Sequence, residues 1–289
     1  MDLLNNCLFC ESSRVEDDTR LPIFYNGTLF TWKKCKKCSL VFIGPPLSND
    51  DTQKLYAPSA YHDEYYFKYT EGYTAQLKAI KPYKQKTVLD FGCGDAGLLN
   101  FLQTNNYTVT GVEYDNGLVE KLTAKFSSIN FIQEKDFWDT TYTFDIIHLG
   151  DVLEHVSHPI KLVQQLREKL NPDGIFFIEG PLECNPSLGY YFRKLTYAIK
   201  KTINKESLRV QEPYHITYSN ATNQQLFFER LKLKKQVFKV VEAGWPYIDT
   251  IAEVKSPWLF LQYLIAKTSK FTSYLVPNWG NRFVYIGKL

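Results

Sequence analysis

The chain has 289 residues, 44% hydrophobic and 22% charged, with a formal net charge of +3. This balance excludes a disordered polar chain, and the charge is too small to mark a nucleic-acid binder by itself. The length suits one α/β domain of ordinary size with a small accessory module. The N-terminus, Met1 to Cys7, has no basic region leading into an apolar core, so the expected compartment is the cytosol. The most apolar stretch, Trp258 to Ala266, ends at Lys267, short of the ~20 residues a membrane span needs.

The chain opens with two C-x-x-C knuckles, Cys7/Cys10 and Cys35/Cys38, separated by 24 residues. In a reducing compartment such pairs read as metal ligands more readily than as disulfides. Four thiolates close a tetrahedral shell around Zn2+, so the expectation for residues 1–50 is a zinc-ribbon-like module with a structural ion and no open position for substrate. Residues 51–86 form a connecting segment with an aromatic, acidic run that includes Tyr61, Tyr65 and Tyr66, and a helix is expected over Thr70 to Lys81.

The main domain, 87–289, begins with a short apolar strand, Thr87 to Leu89. It runs through Asp90 into Gly92-Cys93-Gly94-Asp95-Ala96-Gly97 and a helix from Leu98. The three glycines fit G-x-G-x-x-G, which lets backbone approach a nucleotide at a helix N-terminus. A carboxylate at Asp90 would repel a pyrophosphate, so it suits a cationic ligand such as S-adenosylmethionine, which carries an ammonium and a sulfonium. Glu113 ends the next strand, 23 residues beyond Asp90, where an acid accepts hydrogen bonds from ribose hydroxyls. Replacing Asp90 or Glu113 by alanine is expected to weaken cofactor binding and leave the fold intact.

Strands are expected at 107–112, 130–132, 144–149 and 175–179, with Asn171 to Gly174 a turn. Between them lie Asp136, then Asp151 to His155, and Pro159 opening a helix. His148 reads as core. Residues 187–210 hold Arg193, Lys194, Lys200, Lys201, Lys205 and Arg209 against the one acid Glu206, interleaved with tyrosines. That local patch suits a phosphate or an anionic membrane surface, or is a solvated helical face. Tyr214-His215 precedes the helix capped by Ser219, and His215 is the first choice as general base, a structural histidine being the rival reading. A strand over 233–241, an amphipathic helix from Pro257 to Tyr274 and a closing strand at 282–287 complete the chain.

The stretch from Asp90 to Gly97 resembles motif I of class I S-adenosylmethionine-dependent methyltransferases, and Asp151 to His155 with Pro159 resembles the segment after their fourth strand. The paired knuckles, the tyrosine-rich segment and His215 before its cap resemble bacterial sugar C-methyltransferases and their relatives with an N-terminal zinc-binding part. The resemblance implies a Rossmann-like, seven-stranded, mostly parallel sheet whose last strand is antiparallel. It implies cofactor contacts from Asp90, Gly92, Cys93, Gly94, Gly97, Glu113, Asp136 (facing adenine) and Asp151. It also implies that His155 acts as a base or braces the loop with Glu154, and that 187–218 and 242–281 cover the acceptor side with Tyr61, Tyr65, Tyr66 and Tyr214. The acceptor it implies is a sugar, free or nucleotide- or lipid-linked, methylated at oxygen or carbon. RNA methylation has little support, because Leu149-Gly150-Asp151-Val152 lacks the proline-rich signature of base amino-group methylation.

Overall fold

A computed structural model of the chain describes residues 6–56, 73–83, 87–203, 212–243 and 250–289. By packing, the chain divides into two units. One comprises Met1–Pro45, Glu179–Arg230 and Val237–Val284, and the other Pro46–Ile178, Leu231–Gln236 and Tyr285–Leu289.

The N-terminal strands are β1 (Val15–Asp17), β2 (Ile23–Tyr25), β3 (Thr28–Cys35) and β4 (Val41–Gly44). They are antiparallel, with β3 central between β1 and β4 and pairing β2 as well. After α1 (Asn49–Leu55) and α2 (Thr74–Ile80) come β5 (Thr87–Phe91), α3 (Gly97–Thr104), β6 (Thr108–Glu113), α4 (Asn116–Lys125) and β7 (Asn130–Gln133). The one-turn α5 (Glu134–Phe137), β8 (Phe144–Gly150), α6 (Pro159–Arg167) and β9 (Leu170–Pro181) follow. The chain continues with α7 (Leu188–Ile203), β10 (Thr217–Tyr218), α8 (Ala221–Arg230), β11 (Lys234–Val241), α9 (Pro257–Leu275) and β12 (Arg282–Lys288).

The main sheet is mixed and seven-stranded, in the order β11-β12-β9-β8-β5-β6-β7. Its four-strand half β8-β5-β6-β7 is parallel. The near-continuous burial of β5, β6 and β8 is what a parallel strand covered on both faces requires. The reversal expected at Asn171 to Gly174 survives as a φ of 65° at Asp173, but hydrogen bonding carries β9 through it from Leu170.

Two placements were not foreseen. β10 pairs with β4, Thr217 opposite Phe42 and Tyr218 opposite Val41, so the segment after His215 is a strand of the N-terminal sheet. Phe9 packs tilted against Phe227 of α8, ring centroids 4.6 Å apart, joining the first knuckle to the same body. In addition, α9 does not show the ordinary amphipathic pattern: its buried residues are the small Ala266 and Ser269, and its outward face carries large apolar side chains.

Candidate active site

The turn after β5 is built by left-handed backbone. Gly92 has φ 77° and Gly94 φ 52°, conformations that cost a side-chain-bearing residue roughly 1 kcal/mol or more. At Gly92 a Cβ would also come within 2.8 Å of the Val152 side chain. Gly97 then opens α3 beneath the ring of Tyr73.

Asp90 sits at the end of β5, 4% exposed. Its carboxylate lies 2.7 Å from Nδ1 of His148, its register partner on β8, and the His148 ring is tilted over Phe177 at 4.8 Å. His148 therefore does more than fill core: it holds the Asp90 carboxylate in one orientation. Pairing depends on strand register, which a single sequence does not reveal.

Glu113 ends β6 and binds the same turn. One carboxylate oxygen accepts the Gly94 N–H at 3.0 Å and the other its neighbour's, Tyr114, at 2.8 Å. Burial raises the Glu113 pKa above the ordinary carboxylate value, and the amides of Gly94, Tyr114 and Asp115 oppose the rise. Cys93 is buried against Gly111 of β6, where any side chain would collide with its sulfur. Burial first, then Glu113 and Asp90, push its thiol well up, so it packs the underside of the loop as a neutral group.

Asp136 is exposed on α5, whereas its neighbour Phe137 is fully buried and packs on Phe91 at 6.0 Å. Asp151 takes a left-handed φ of 54° immediately after β8. Glu154 and His155 form a single 3-10 turn, Glu154 buried and His155 half-buried. His155 Nδ1 is 2.9 Å from the Tyr56 hydroxyl, with the rings edge-on. Tyr56 caps α1, whose start is fixed by a reciprocal Ser48–Asp51 capping box. Tyr56 had no role on sequence grounds, and only the fold brings it to His155, 99 residues away.

In the other unit, His215 forms a dyad with Glu183. His215 Nδ1 is 2.7 Å from Glu183 Oε1, and Oε2 of the same carboxylate accepts the Ser219 N–H at 3.3 Å. The side chain of His215 is 36% exposed and that of Glu183 15%. The backbone on either side of Glu183 is tied down by Leu182 N–H to Asn281 O at 2.6 Å and Cys184 N–H to Ser219 O at 2.9 Å. Asn185, fully buried, binds the carbonyls of Asn278 and Gly280 and accepts the Ala221 N–H. Tyr214 bonds the Glu212 carboxylate. Glu183 was not singled out in the sequence. Its signal was available only as an acid shortly after β9.

A family profile described as a methyltransferase domain matches residues 63–232. The chain belongs to this methyltransferase-domain family. Among curated proteins, the ubiquinone biosynthesis O-methyltransferase of Glaesserella parasuis serovar 5 is 33% identical over 105 residues, 32% of this chain and 44% of the relative. That of Actinobacillus pleuropneumoniae serotype 5b is 30% identical with the same coverage. The matched region thus spans under half the length of these relatives. Similar solved structures include a SAM-dependent methyltransferase from Methanosarcina mazei, 16% identical with TM-score 0.49, covering 73% of this chain and 97% of that one. One from Archaeoglobus fulgidus is 17% identical with TM-score 0.46, covering 74% and 92%.

S-adenosylmethionine is the cofactor expected of this methyltransferase-domain chain. The loop residues fit that cofactor: two left-handed glycines open the backbone, a buried carboxylate stands at the strand end, and a second carboxylate braces the turn. In the N-terminal part of the methyltransferase, the sulfurs of Cys7, Cys10, Cys35 and Cys38 all lie within 4.8 Å of one another, and all six cysteines are free thiols. The contacts Cys7–Cys38 and Cys10–Cys35, each 3.5 Å, approach the ~3.8 Å sulfur separation of a tetrahedral Zn–S4 centre with bonds of ~2.3 Å. Burial raises the Cys10 thiol to about 11; at Cys35 burial is outweighed by the amides of Cys38 and Lys37, which draw its pKa down. The donor set therefore fits Zn2+. Tyr61, Tyr65 and Tyr66 lie outside the described residues, as do Lys205 and Arg209 of the basic segment. No helix among the described residues is long and apolar enough to cross a membrane.

Proposed function

We propose that this methyltransferase acts on a sugar or a nucleotide- or lipid-linked sugar, at oxygen or carbon, with His215 as general base. The observation that carries the reading is the His215–Glu183 dyad. With Nδ1 directed at Glu183, Nε2 is the ring nitrogen that takes the acceptor proton, and the carboxylate fixes the ring and stabilises the imidazolium that forms. S-adenosylmethionine, when bound, supplies an electrophilic methyl group on a sulfonium. Asp90, Glu113 and the turn of Gly92 to Gly94 would hold it, and it would give up that methyl to the acceptor and leave as S-adenosylhomocysteine. The protein's part is alignment, which alone accounts for a large share of such a rate, together with proton removal.

In this reading Asp90, held by His148, faces the cationic end of the cofactor, Glu113 faces the ribose, Asp136 the adenine, and the loop of Asp151 closes the pocket. His155, held by Tyr56, braces the loop with Glu154. The four cysteines bind one structural zinc. A second reading, methylation of an aromatic hydroxyl, draws on the curated relatives, whose name is ubiquinone biosynthesis O-methyltransferase. Incubation with labelled S-adenosylmethionine and a panel of nucleotide-linked sugars, lipid-linked sugars, catechols and RNA, followed by location of the label by mass, separates them. Label on a sugar, lost in His215→Ala, supports the proposal. Label on a catechol alone, or on RNA with steep salt dependence, refutes it.

A further inference from the structure

Helices α7 and α9 form an adjacent pair in one unit, with Phe192 and Trp258 ring centroids 5.8 Å apart and the Gly189 N–H against the Ser269 hydroxyl at 3.4 Å. Glycine and serine at that contact let the helices approach closely, and they leave the larger side chains elsewhere. Along α9, Phe260, Leu264, Phe271 and Leu275 follow one another at spacings of four, seven and four, which is one helical face, and all four are exposed, Phe271 at 63%. Along α7, Tyr191, Leu195 and Ile199 repeat every four residues and are likewise exposed, Leu195 at 59%. This inverts the pattern of a surface helix, whose apolar stripe faces the core. Trp258 near the start of α9 and Tyr274 near its end, 88% exposed, add aromatic rings of the kind that favour a membrane–water boundary.

Charge selects the occupant of this surface. Together α7 and α9 contain Arg193, Lys194, Lys200, Lys201, Lys267 and Lys270 and no Asp or Glu. Their formal +6 exceeds the +3 of the whole chain, so all remaining residues together sum to −3. A second copy docked face to face would bring two cationic helix pairs together, which disfavours a two-fold dimer here. An anionic lipid surface satisfies both features at once: the apolar stripes enter the acyl boundary and exposed basic residues such as Lys194 and Lys267 meet headgroup phosphates.

We propose that the α7/α9 face is a peripheral membrane-binding surface for anionic phospholipid bilayers. The assignment is independent of which acceptor is methylated. The test is sedimentation of the full chain with vesicles of phosphatidylcholine alone and of phosphatidylcholine mixed with phosphatidylglycerol, at low and high salt. The chain is expected to pellet with the mixed vesicles, less with neutral ones, and less as salt rises. Phe271→Glu should weaken partitioning by about tenfold, the effect of keeping one large apolar side chain in water, and Leu264→Glu with Phe271→Glu should abolish it. Because these side chains are exposed, circular dichroism and S-adenosylmethionine calorimetry should be unchanged in both variants. Failure to pellet with either vesicle, or equal pelleting of wild type and the double variant, overturns the proposal. So does a wild-type dimer by light scattering that the double variant dissociates in the absence of lipid, since a second copy would then cover the face.

Discussion

Asp90 and His148 make the sharpest test of the cofactor site, because two substitutions at one position separate charge from packing. Both side chains are 6% exposed and lie 2.7 Å apart. Asp90→Ala removes the acceptor and leaves the imidazole buried beside a void, which costs about 2–4 kcal/mol. For a protein of this size, about 2–4 °C of melting temperature is lost per kcal/mol, so the transition should fall by roughly 5–15 °C. Asp90→Asn keeps an oxygen for the Nδ1–H and should cost about 1 kcal/mol or less. Its defect is electrostatic: a charged hydrogen-bonding partner for a cationic ligand contributes roughly 1.5–3 kcal/mol, so S-adenosylmethionine should bind about 10- to 150-fold more weakly. Differential scanning fluorimetry gives the first number and titration calorimetry the second. An asparagine variant with wild-type affinity, or an alanine variant with an unshifted transition, would refute the reasoning.

At the dyad, His215→Ala should lower kcat by about 10²–10⁴ and Glu183→Gln by part of that, both with cofactor affinity intact by calorimetry. A loss of affinity would mean that the pair serves the cofactor side. Glu113, whose pKa is raised by burial, takes up a proton at higher pH than an ordinary glutamate of pKa ~4.3. As pH falls, cofactor affinity should therefore decline earlier than an unperturbed acid would allow, and Glu113→Gln should bind weakly with a flat profile, measured by calorimetry across the acid range. Metal analysis should find about one zinc per chain, and a chelator should lower the melting temperature while Cys35→Ser prevents full loading. A fully folded, metal-free protein would overturn the zinc site.

The parallel half of the sheet was legible because each strand is a short apolar run followed by local turn chemistry, and the loop from Asp90 to Gly97 carries its own conformational signature. The knuckles were legible for the same reason, since C-x-x-C is a local geometry. What the sequence hid are the partners: His148 for Asp90, Glu183 for His215 and Tyr56 for His155. Each pair is separated by 32 to 99 residues and meets only through strand register, a capped helix end or loop backbone tied together by long-range hydrogen bonds. The outward apolar face of α9 was hidden too, because a 3.6-residue periodicity shows that a helix has two faces without saying which one the fold covers.

The pairing of β10 with β4 means that the backbone just after His215 is hydrogen-bonded to a strand that begins three residues after Cys38 and ends at Gly44. Trimming the chain to the family domain at 63–232 would delete that partner strand and the four clustered cysteines together. The stretch matched by family similarity therefore stops short of the strand pairing that holds the segment after His215. On the proposed assignments of zinc to the four cysteines and of the base to His215, loss of the metal would be felt as a misplaced base, and turnover would depend on metal loading.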